Sequence, residues 1–266
     1  NAFLSSEIKA SNDIEGVHSS RKEIQEAIDN LNNESLRFFS IISKYKAVLN
    51  KHIDLYYRNS QEIRALYDEI ISNEIDDKNK PNGDIFRKDP VDVVNHQDKV
   101  IHQGTMPESE IVREMDLALT ILHDETIQLP IRVAIFHYYF GYIHPFYDGN
   151  GRTNRFISTI YLAKYFHPFI ALRLSAVIKN NKKIYYDAFK MTNSEFNCGD
   201  VTTFIYPFLK MIDYTIDDAI KLLDKRINRL HTYSRLLEIF FETQKINDSL
   251  LQSIYYLLLQ SSLFSI

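Results

Sequence analysis

The sequence is poor in the residues that build disulfide-rich or turn-rich folds. Its 266 residues include one cysteine, Cys198, which excludes an intramolecular disulfide and a cysteine-based zinc site. There is no tryptophan, and seven glycines and seven prolines are too few for a β protein with many tight turns. These counts favour an all-α fold.

The chain also lacks an excess of charge and any long apolar run. Its 31 basic and 35 acidic residues give a net charge of -4, which provides no bulk attraction to nucleic acid or to an anionic membrane. No apolar run approaches the roughly 18 residues of a membrane span. The first residues do not read as a secretion signal, because no basic region precedes a long apolar one. We therefore expect a cytoplasmic protein without a membrane partner.

Apolar residues recur at helical spacing over most of the chain. Such stripes predict helices near 24–31, 39–49, 63–70 and 111–122. Segments 131–142 and 156–166 are apolar almost all round, which places their helices at the centre of the bundle. Polar turn formers in 76–84 predict a loop.

Two further regions carry weaker patterns. Runs 91–94 and 99–102 flank a polar tetrapeptide, which predicts a β-hairpin with Asn95 and Asp98 in its turn. Because an isolated hairpin is only marginally stable, it should lie against the helices. Residues 215–243 predict one or two helices. The apolar stripe within 246–266 fits either a last bundle helix or the first helix of a truncated helix-turn-helix module.

Glycine and charge concentrate in one segment, HPFYDGNGRTNR at 144–155. Pro145 disfavours helical geometry at the residue before it, so the preceding helix should end with the His144 imidazole at its tip. Gly149 and Gly151 permit positive φ angles and let backbone N–H groups converge into an anion-binding nest.

This nest leads into a helix predicted to start near Thr153, whose free N–H groups also favour an anion. Arg152 and Arg155 are three apart, so both can contact one polyphosphate. Two cations at a helix N-terminus oppose the helix dipole, which indicates a purpose beyond structure. Asp148 could hold Mg²⁺ on phosphate oxygens. Together these groups are typical of phosphoryl or nucleotidyl transfer.

A calcium-binding loop is the sharpest alternative for this segment, because 148–150 opens like an EF-hand. The pattern then fails, with Arg152 at the fifth position, Thr153 at the required glycine and Thr159 where a bidentate glutamate belongs. A phosphate-binding loop ending in Gly-Lys-Ser/Thr is absent as well.

The segment resembles the Fic family signature, His-Pro-Phe-x-Asp/Glu-Gly-Asn-Gly-Arg-x-x-Arg, at every defined position. The resemblance extends over roughly residues 1–215 and implies an all-α Fic-fold helical bundle with a β-hairpin flap. It divides the chain into an N-terminal segment 1–35, a core 36–215 with the flap at about 91–102, and C-terminal helices 216–266.

The resemblance also implies roles for individual residues. His144 resembles the general base that deprotonates the target hydroxyl, and Asp148 the Mg²⁺ ligand. The residues implied to contact the nucleotide are Gly149, Asn150, Gly151, Arg152, Thr153 and Arg155 at the phosphates, Val100, Ile101 and His102 at the flap edge, and Tyr185, Tyr186 and Asn193 on the adenine side. Core packing stays open for the two tyrosines, and a helix cap for Asn193.

A second motif lies near the N-terminus. Residues 11–16, SNDIEG, resemble the inhibitory-helix signature Ser/Thr-x-x-x-Glu-Gly/Asn of the Fic class that carries this helix before the core. Ser11 and Glu15 are four apart and share one face of a helix that Gly16 should end. The resemblance implies that Glu15 pairs with Arg155 and blocks productive nucleotide binding.

Taken together, the resemblance implies a protein adenylyltransferase that uses ATP and Mg²⁺, is inhibited by Glu15, and modifies a hydroxyl on a target protein or on itself. Another nucleotide donor, removal of AMP by the same site, and a homodimer stay open. A kinase-type relative is disfavoured, because that branch carries Ala and Lys where Gly149 and Gly151 stand. The alternative from another class is a non-catalytic regulator that binds nucleotide, or DNA if a helix-turn-helix continues beyond the chain.

Overall fold

The computed structural model describes residues 1–50, 55–94 and 100–264. Helices α1 to α7 span Ala2–Ile14, Arg21–Asp29, Phe39–Leu49, Ser60–Ile70, Glu108–His123, Leu129–Ile143 and Asn150–Tyr165. Helices α8 to α12 span Pro168–Ala171, Leu174–Asn180, Lys182–Thr192, Thr202–Thr243 and Ser249–Phe264. Short 3-10 turns occupy Ser72–Glu74, Asp77–Asn79 and Glu195–Asn197. The predicted all-α fold with a small hairpin is confirmed.

The centre of the bundle is the pair α6 and α7, as their apolar sequences predict. Helix α6 packs against α5, α7 and α11. Its Phe136 and Phe140 are fully buried, and Phe156 on α7 is nearly so. The predicted stripes also face inward, since Ile24, Ile42, Ile63, Ile111 and Met115 are all buried completely. Burial of these faces against one another is the main driving force for this arrangement.

The hairpin consists of β1, Asp92–Val94, and β2, Val100–Gln103, paired antiparallel. Val93 pairs with His102, and the register shifts at the next residue. The predicted turn with Asn95 and Asp98 lies outside the described residues. The hairpin contacts the end of α6, because His102 Nε2 lies 2.6 Å from the carbonyl oxygen of Tyr142.

The C-terminal helices differ in detail from the prediction. Helix α11 runs without a break from Thr202 to Thr243 and contains Pro207, so the proposed boundary at residue 215 falls inside it. Helix α12 packs against the end of α11 through rings such as Phe241 and Tyr255, with centroids 5.7 Å apart. The division into domains stays a prediction. Within the described ranges no helix has the length and apolar character needed to cross a membrane.

Helix α1 is attached to the core by a buried acid. It packs against α7 and α9, and its Glu7 is completely buried. The Glu7 carboxylate accepts hydrogen bonds from the Ser175 N–H at 2.9 Å, the Ser175 hydroxyl at 2.5 Å and the Thr159 hydroxyl at 3.1 Å. Burial raises the pKa of Glu7, although these hydrogen bonds oppose the shift.

This raised pKa predicts a pH dependence of stability. The folded protein binds the Glu7 proton more tightly than the unfolded chain does. The contribution of Glu7 to the unfolding free energy should therefore fall as pH rises from the ordinary pKa near 4.5 through the native value, then level off. Urea unfolding of wild type and Glu7→Gln at a series of pH values checks this. If the two stability curves stay parallel with pH, Glu7 does not titrate as inferred.

Candidate active site

The motif at 144–155 forms the junction between α6 and α7. Helix α6 ends at Ile143, and His144 follows as its C-cap with φ 52° and ψ 62°. The N–H of His144 still donates to the Phe140 carbonyl at 3.0 Å. The Asn150 side chain shapes the junction, because it accepts from the Phe146 N–H at 3.0 Å and donates to the Phe146 carbonyl at 2.7 Å. The imidazole therefore sits at the helix tip, as predicted.

Helix α7 begins at Asn150, three residues earlier than predicted. Gly149 precedes it with φ 81°, so the positive φ that a glycine permits is used there, whereas Gly151 lies within the helix and does not use it. The Thr153 hydroxyl donates to the Gly149 carbonyl at 3.0 Å, so it is engaged within the first turn. The first N–H groups of α7 have no intrahelical acceptor and can bind an anion.

Gly151 is needed for space rather than for backbone conformation. A Cβ atom added to it would lie 2.0 Å from Glu15 Oε1 and 2.9 Å from Arg155 Nη1. The carboxylate of Glu15 therefore lies directly over the first turn of α7, at the place where the sequence predicts a phosphate.

Arg155 joins this turn to α1. Its side chain is 1% exposed, and its Nη1 donates to Glu15 Oε1 at 2.7 Å. Its Nε donates to the Ser11 hydroxyl at 3.0 Å and its Nη2 to the Ser11 carbonyl at 2.9 Å. Burial is the largest single influence and lowers the pKa of Arg155, but Glu15, Tyr185 and Tyr186 together act more strongly in the opposite direction, so the pKa of Arg155 is raised. All three nitrogens of this guanidinium are thus bonded to α1.

The end of α1 places Glu15 for this contact. Glu15 is the C-cap, and Gly16 follows with φ 71°, as the sequence predicts. The Val17 N–H donates to the Asn12 carbonyl at 2.9 Å, which completes a Schellman-type helix end. The structure therefore brings together Ser11, Glu15 and Arg155, although their inhibitory role stays a prediction.

Arg152 has a carboxylate partner that the sequence did not reveal. Its Nη1 lies 3.0 Å from Oε2 of Glu74, and the two side chains are 3% and 12% exposed. Arg37 also approaches Glu74, at 3.7 Å. Burial raises the pKa of Glu74 against the attraction of both arginines. No spacing links Glu74 to the motif, so sequence reasoning had no signal for it.

One nitrogen of Arg152 is left without a partner. Its Nε is buried and has no hydrogen bond in the described part of the chain. Buried polar groups are nearly always hydrogen-bonded, so an unpaired donor beside a helix N-terminus fits the binding of an oxyanion such as a phosphate.

The imidazole of His144 is half-buried, and its Nδ1 lies 3.4 Å from the Gly141 carbonyl oxygen. Burial lowers the pKa of His144 to about 4; Arg87 and His102 also lower it, while the Gly141 carbonyl and Glu15 act in the opposite direction. The ring is therefore neutral at pH 7 and can accept a proton.

Asp148 is exposed at the start of the nest, and its Oδ1 accepts the Gly149 N–H at 2.5 Å. Within the ranges described, no group of three or more His, Cys, Asp or Glu residues could hold a metal ion by itself. The site therefore fits a Mg²⁺ that arrives with phosphate oxygens, for which one carboxylate is enough.

The residues predicted on the adenine side separate in the structure. Tyr185 is buried, and its hydroxyl lies 2.8 Å from Nε2 of the buried His137. Tyr186 is half-buried, and its pKa is raised by burial and by the charge of Glu15. Asn193 is the C-cap of α10 and accepts from the Tyr138 hydroxyl at 2.8 Å. Their nucleotide contacts stay predictions, and Tyr185 is the one most fully committed to core packing.

The flap leaves its predicted edge accessible. Val100 and Ile101 are 49% and 40% exposed. His102 is half-buried, with its ring 4.5 Å from that of Tyr142. Exposed apolar side chains on a strand beside the His144 junction are suited to contact an incoming ligand or peptide.

Comparison with known proteins agrees with this geometry. The Fic/DOC family model matches residues 57–162, a range that includes the hairpin and the whole of the 144–155 motif. This part of the chain is therefore a Fic/DOC family domain. Among solved structures, a Fic family protein from Desulfovibrio desulfuricans G20 superposes with a TM-score of 0.65 and 21% identity. The alignment covers 83% of this chain and 65% of that one, and it shows a shared fold.

The curated relatives are distant. Protein adenylyltransferase Fic of Drosophila sechellia is 27% identical over 135 residues, which are 51% of this chain and 25% of that protein. The protein of the same name from Culex quinquefasciatus is 32% identical over 89 residues, which are 33% of this chain and 16% of that protein. The match thus spans a quarter or less of the length of these two relatives.

The depressed pKa of His144 can be measured directly. We expect its imidazole to stay neutral as pH falls, with a titration midpoint near 4. NMR titration of the histidine ring signals checks this value, with His144→Gln identifying the resonance. A midpoint close to 6.5, the ordinary value, would show that the ring is not desolvated as described.

Proposed function

We propose that this protein is a protein adenylyltransferase, which moves AMP from ATP to a serine, threonine or tyrosine hydroxyl of a target protein and releases pyrophosphate. One observation carries the proposal. A neutral imidazole, that of His144, stands at the tip of α6 beside the first turn of α7, where two buried arginines face an anion site. The curated relatives named as adenylyltransferases support the same reaction.

The residues would share the chemistry as follows. The target oxygen bonds to the α-phosphorus, the bond from that phosphorus to the bridging oxygen breaks, and pyrophosphate leaves with the electron pair. His144 takes the proton from the attacking hydroxyl, which its low proton affinity permits only as the oxygen becomes acidic during bond formation. The N–H groups of the α7 first turn and the free Nε of Arg152 stabilise the phosphate charge.

A divalent metal fits beside these groups. Mg²⁺ held by Asp148 and phosphate oxygens would neutralise negative charge on the α- and β-phosphates. Asp148 is exposed and already oriented by the Gly149 N–H, so its second oxygen is available for coordination.

We further propose that α1 suppresses this reaction. The Glu15 carboxylate occupies the space over Gly151 and bonds Arg155, so an anion already lies where the terminal phosphate would bind. An ATP molecule that enters must either displace this carboxylate or bind with its α-phosphate out of line for attack. Repulsion between Glu15 and the phosphates adds to this effect.

Removal of the carboxylate should release the activity. Glu15→Gly should transfer labelled AMP to itself or to an added target about 10- to 100-fold faster than wild type, because a charge-assisted pair worth roughly 1–3 kcal/mol no longer competes for Arg155. Ser11→Ala should activate less, since it removes a hydrogen bond rather than the blocking charge. Incubation with labelled ATP, GTP, CTP and UTP measures both the rate and the donor.

Asp13 supplies a matched control on the same helix. Its carboxylate pairs with Lys9 and Lys179 rather than with Arg155, so Asp13→Ala should keep the transfer rate as low as in wild type. If Glu15→Gly remains inactive while folded and able to bind ATP, the inhibitory assignment is wrong. Label from a nucleotide other than ATP would instead identify another donor.

Two substitutions separate chemistry from binding in the Glu15→Gly protein. His144→Ala should bind ATP as tightly as its parent but transfer no detectable label, because the proton acceptor is gone. Asp148→Ala should lose the stimulation of transfer by Mg²⁺. Calorimetry for binding and a magnesium titration of transfer check the pair. Parental rates in His144→Ala would remove it as the base, and an unchanged magnesium response would remove Asp148 as the ligand.

A further inference from the structure

Arg87 is a buried arginine outside the motif that bonds the backbone on both sides of the site. It is among the largest completely buried side chains. Its Nε donates to the His144 carbonyl at 2.9 Å, its Nη1 to the Asp89 carbonyl at 2.8 Å, and its Nη2 to the Thr105 carbonyl at 2.8 Å. A longer contact of 3.4 Å joins Nη2 to the Ile143 carbonyl.

These acceptors lie at three separate places in the chain. Asp89 precedes β1, Thr105 follows β2, and His144 is the C-cap of α6. One guanidinium therefore connects both ends of the flap to the main chain of the residue that carries the imidazole. The backbone N–H of Arg87 also donates to the Pro145 carbonyl, at 3.3 Å.

This position is costly for a charged group. None of the four carbonyl acceptors carries a full charge, and burial lowers the pKa of Arg87. A neutral side chain could fill the space without that cost. The fork of donors, which only arginine presents in one plane, is what joins three carbonyls from different segments.

The conformation of His144 explains why such a connection matters. Its φ of 52° is uncommon for a residue with a side chain, and it persists only where surrounding contacts hold it. The bond from Arg87 Nε to the His144 carbonyl is one of those contacts.

We propose that Arg87 is a positioning residue, which holds the backbone of His144 at a fixed place relative to the flap so that the imidazole meets a flap-bound target hydroxyl. The inference rests on the proposed function for the identity of the reaction. The hydrogen bonds of Arg87 belong to the fold itself, so titration of the His144 imidazole can test them without any substrate.

Gly104 supports this assignment independently. A Cβ atom added there would lie 2.4 Å from Arg87 Nη2 and 3.2 Å from the His144 Cβ. The glycine thus leaves the space through which the guanidinium reaches past the end of β2. Replacing it should disturb the same connection from the other side.

The test uses the full chain carrying Glu15→Gly, with Arg87→Lys, Arg87→Met and Gly104→Ala compared. We expect kcat for AMP transfer to fall about 100-fold, as for a reacting group displaced by an ångström, while the ATP dissociation constant stays within about twofold. Arg64→Met is the matched control. That arginine donates to the Ile85 carbonyl, two residues from Arg87, but has no bond to His144, so transfer should be retained.

A second measurement does not depend on catalysis. In a protein whose only substitution is Arg87→Met, the NMR titration midpoint of His144 should move upward, because a positive charge next to the ring is lost. Glu15 and His102, the other charged groups that affect the ring, are unchanged. If no variant transfers AMP and the midpoint still rises, the proposed function is wrong, and the contact between Arg87 and the His144 junction still stands.

Three results would overturn the proposal. The first is a transfer rate within threefold of the parent in both Arg87→Lys and Gly104→Ala, together with an unchanged titration midpoint of His144 in Arg87→Met. Another is an equal loss of transfer in Arg64→Met. The third is failure of all three variants at Arg87 and Gly104 to fold by circular dichroism, which would assign Arg87 to the stability of the fold alone.

Discussion

Two arginines at the start of α7 place positive charge where the helix dipole is already positive. Each forms an ion pair with a carboxylate from a distant part of the chain. Arg155 pairs with Glu15 at 2.7 Å, and Arg152 pairs with Glu74 at 3.0 Å. Neither guanidinium reaches bulk water, so each needs such a partner in the protein or in a ligand. This compensation determines where α1 and the turn after α4 can lie.

Helix α1 is held at several points, two of which differ in kind. Glu7 is anchored by hydroxyl and backbone donors of α7 and α9, whereas Glu15 bonds Arg155 and lies over the first turn of α7. Eight residues separate them, which is about 12 Å along a helix. A substitution at Glu15 therefore leaves the hydrogen bonds of Glu7 in place.

Much of the fold could be predicted because its signals are periodic. The all-round apolar segments that became α6 and α7, and the stripe that became α5, follow from burial on a helix of 3.6 residues per turn. The signature at 144–155 likewise predicted the end of α6 at His144, while the anion site stays a prediction. The start of α7 was misplaced, because Gly149 alone supplies the positive φ and Gly151 already belongs to the helix.

The residues that could not be predicted act singly and at long range. Glu7, Glu74 and Arg87 find their main partners far away in the chain, and each becomes significant only when the fold brings other segments to it. Charged residues of this kind are usually exposed, so sequence gave no reason to place them inside. Tyr185 shows the reverse case, since its aromatic character fitted both a ligand contact and the core, and the hydroxyl is bonded to buried His137.

The absence of a side chain at Gly151 has a consequence for how this chain can vary. The space a Cβ would fill is taken by a Glu15 oxygen, at 2.0 Å. Any larger residue there would exclude the carboxylate and, by occupying the same volume, an anion that replaced it. A substitution at Gly151 therefore cannot remove the Glu15 carboxylate and still keep the space for another anion. Substitutions that withdraw the carboxylate and leave this space open are therefore confined to Glu15 and to the helix that carries it.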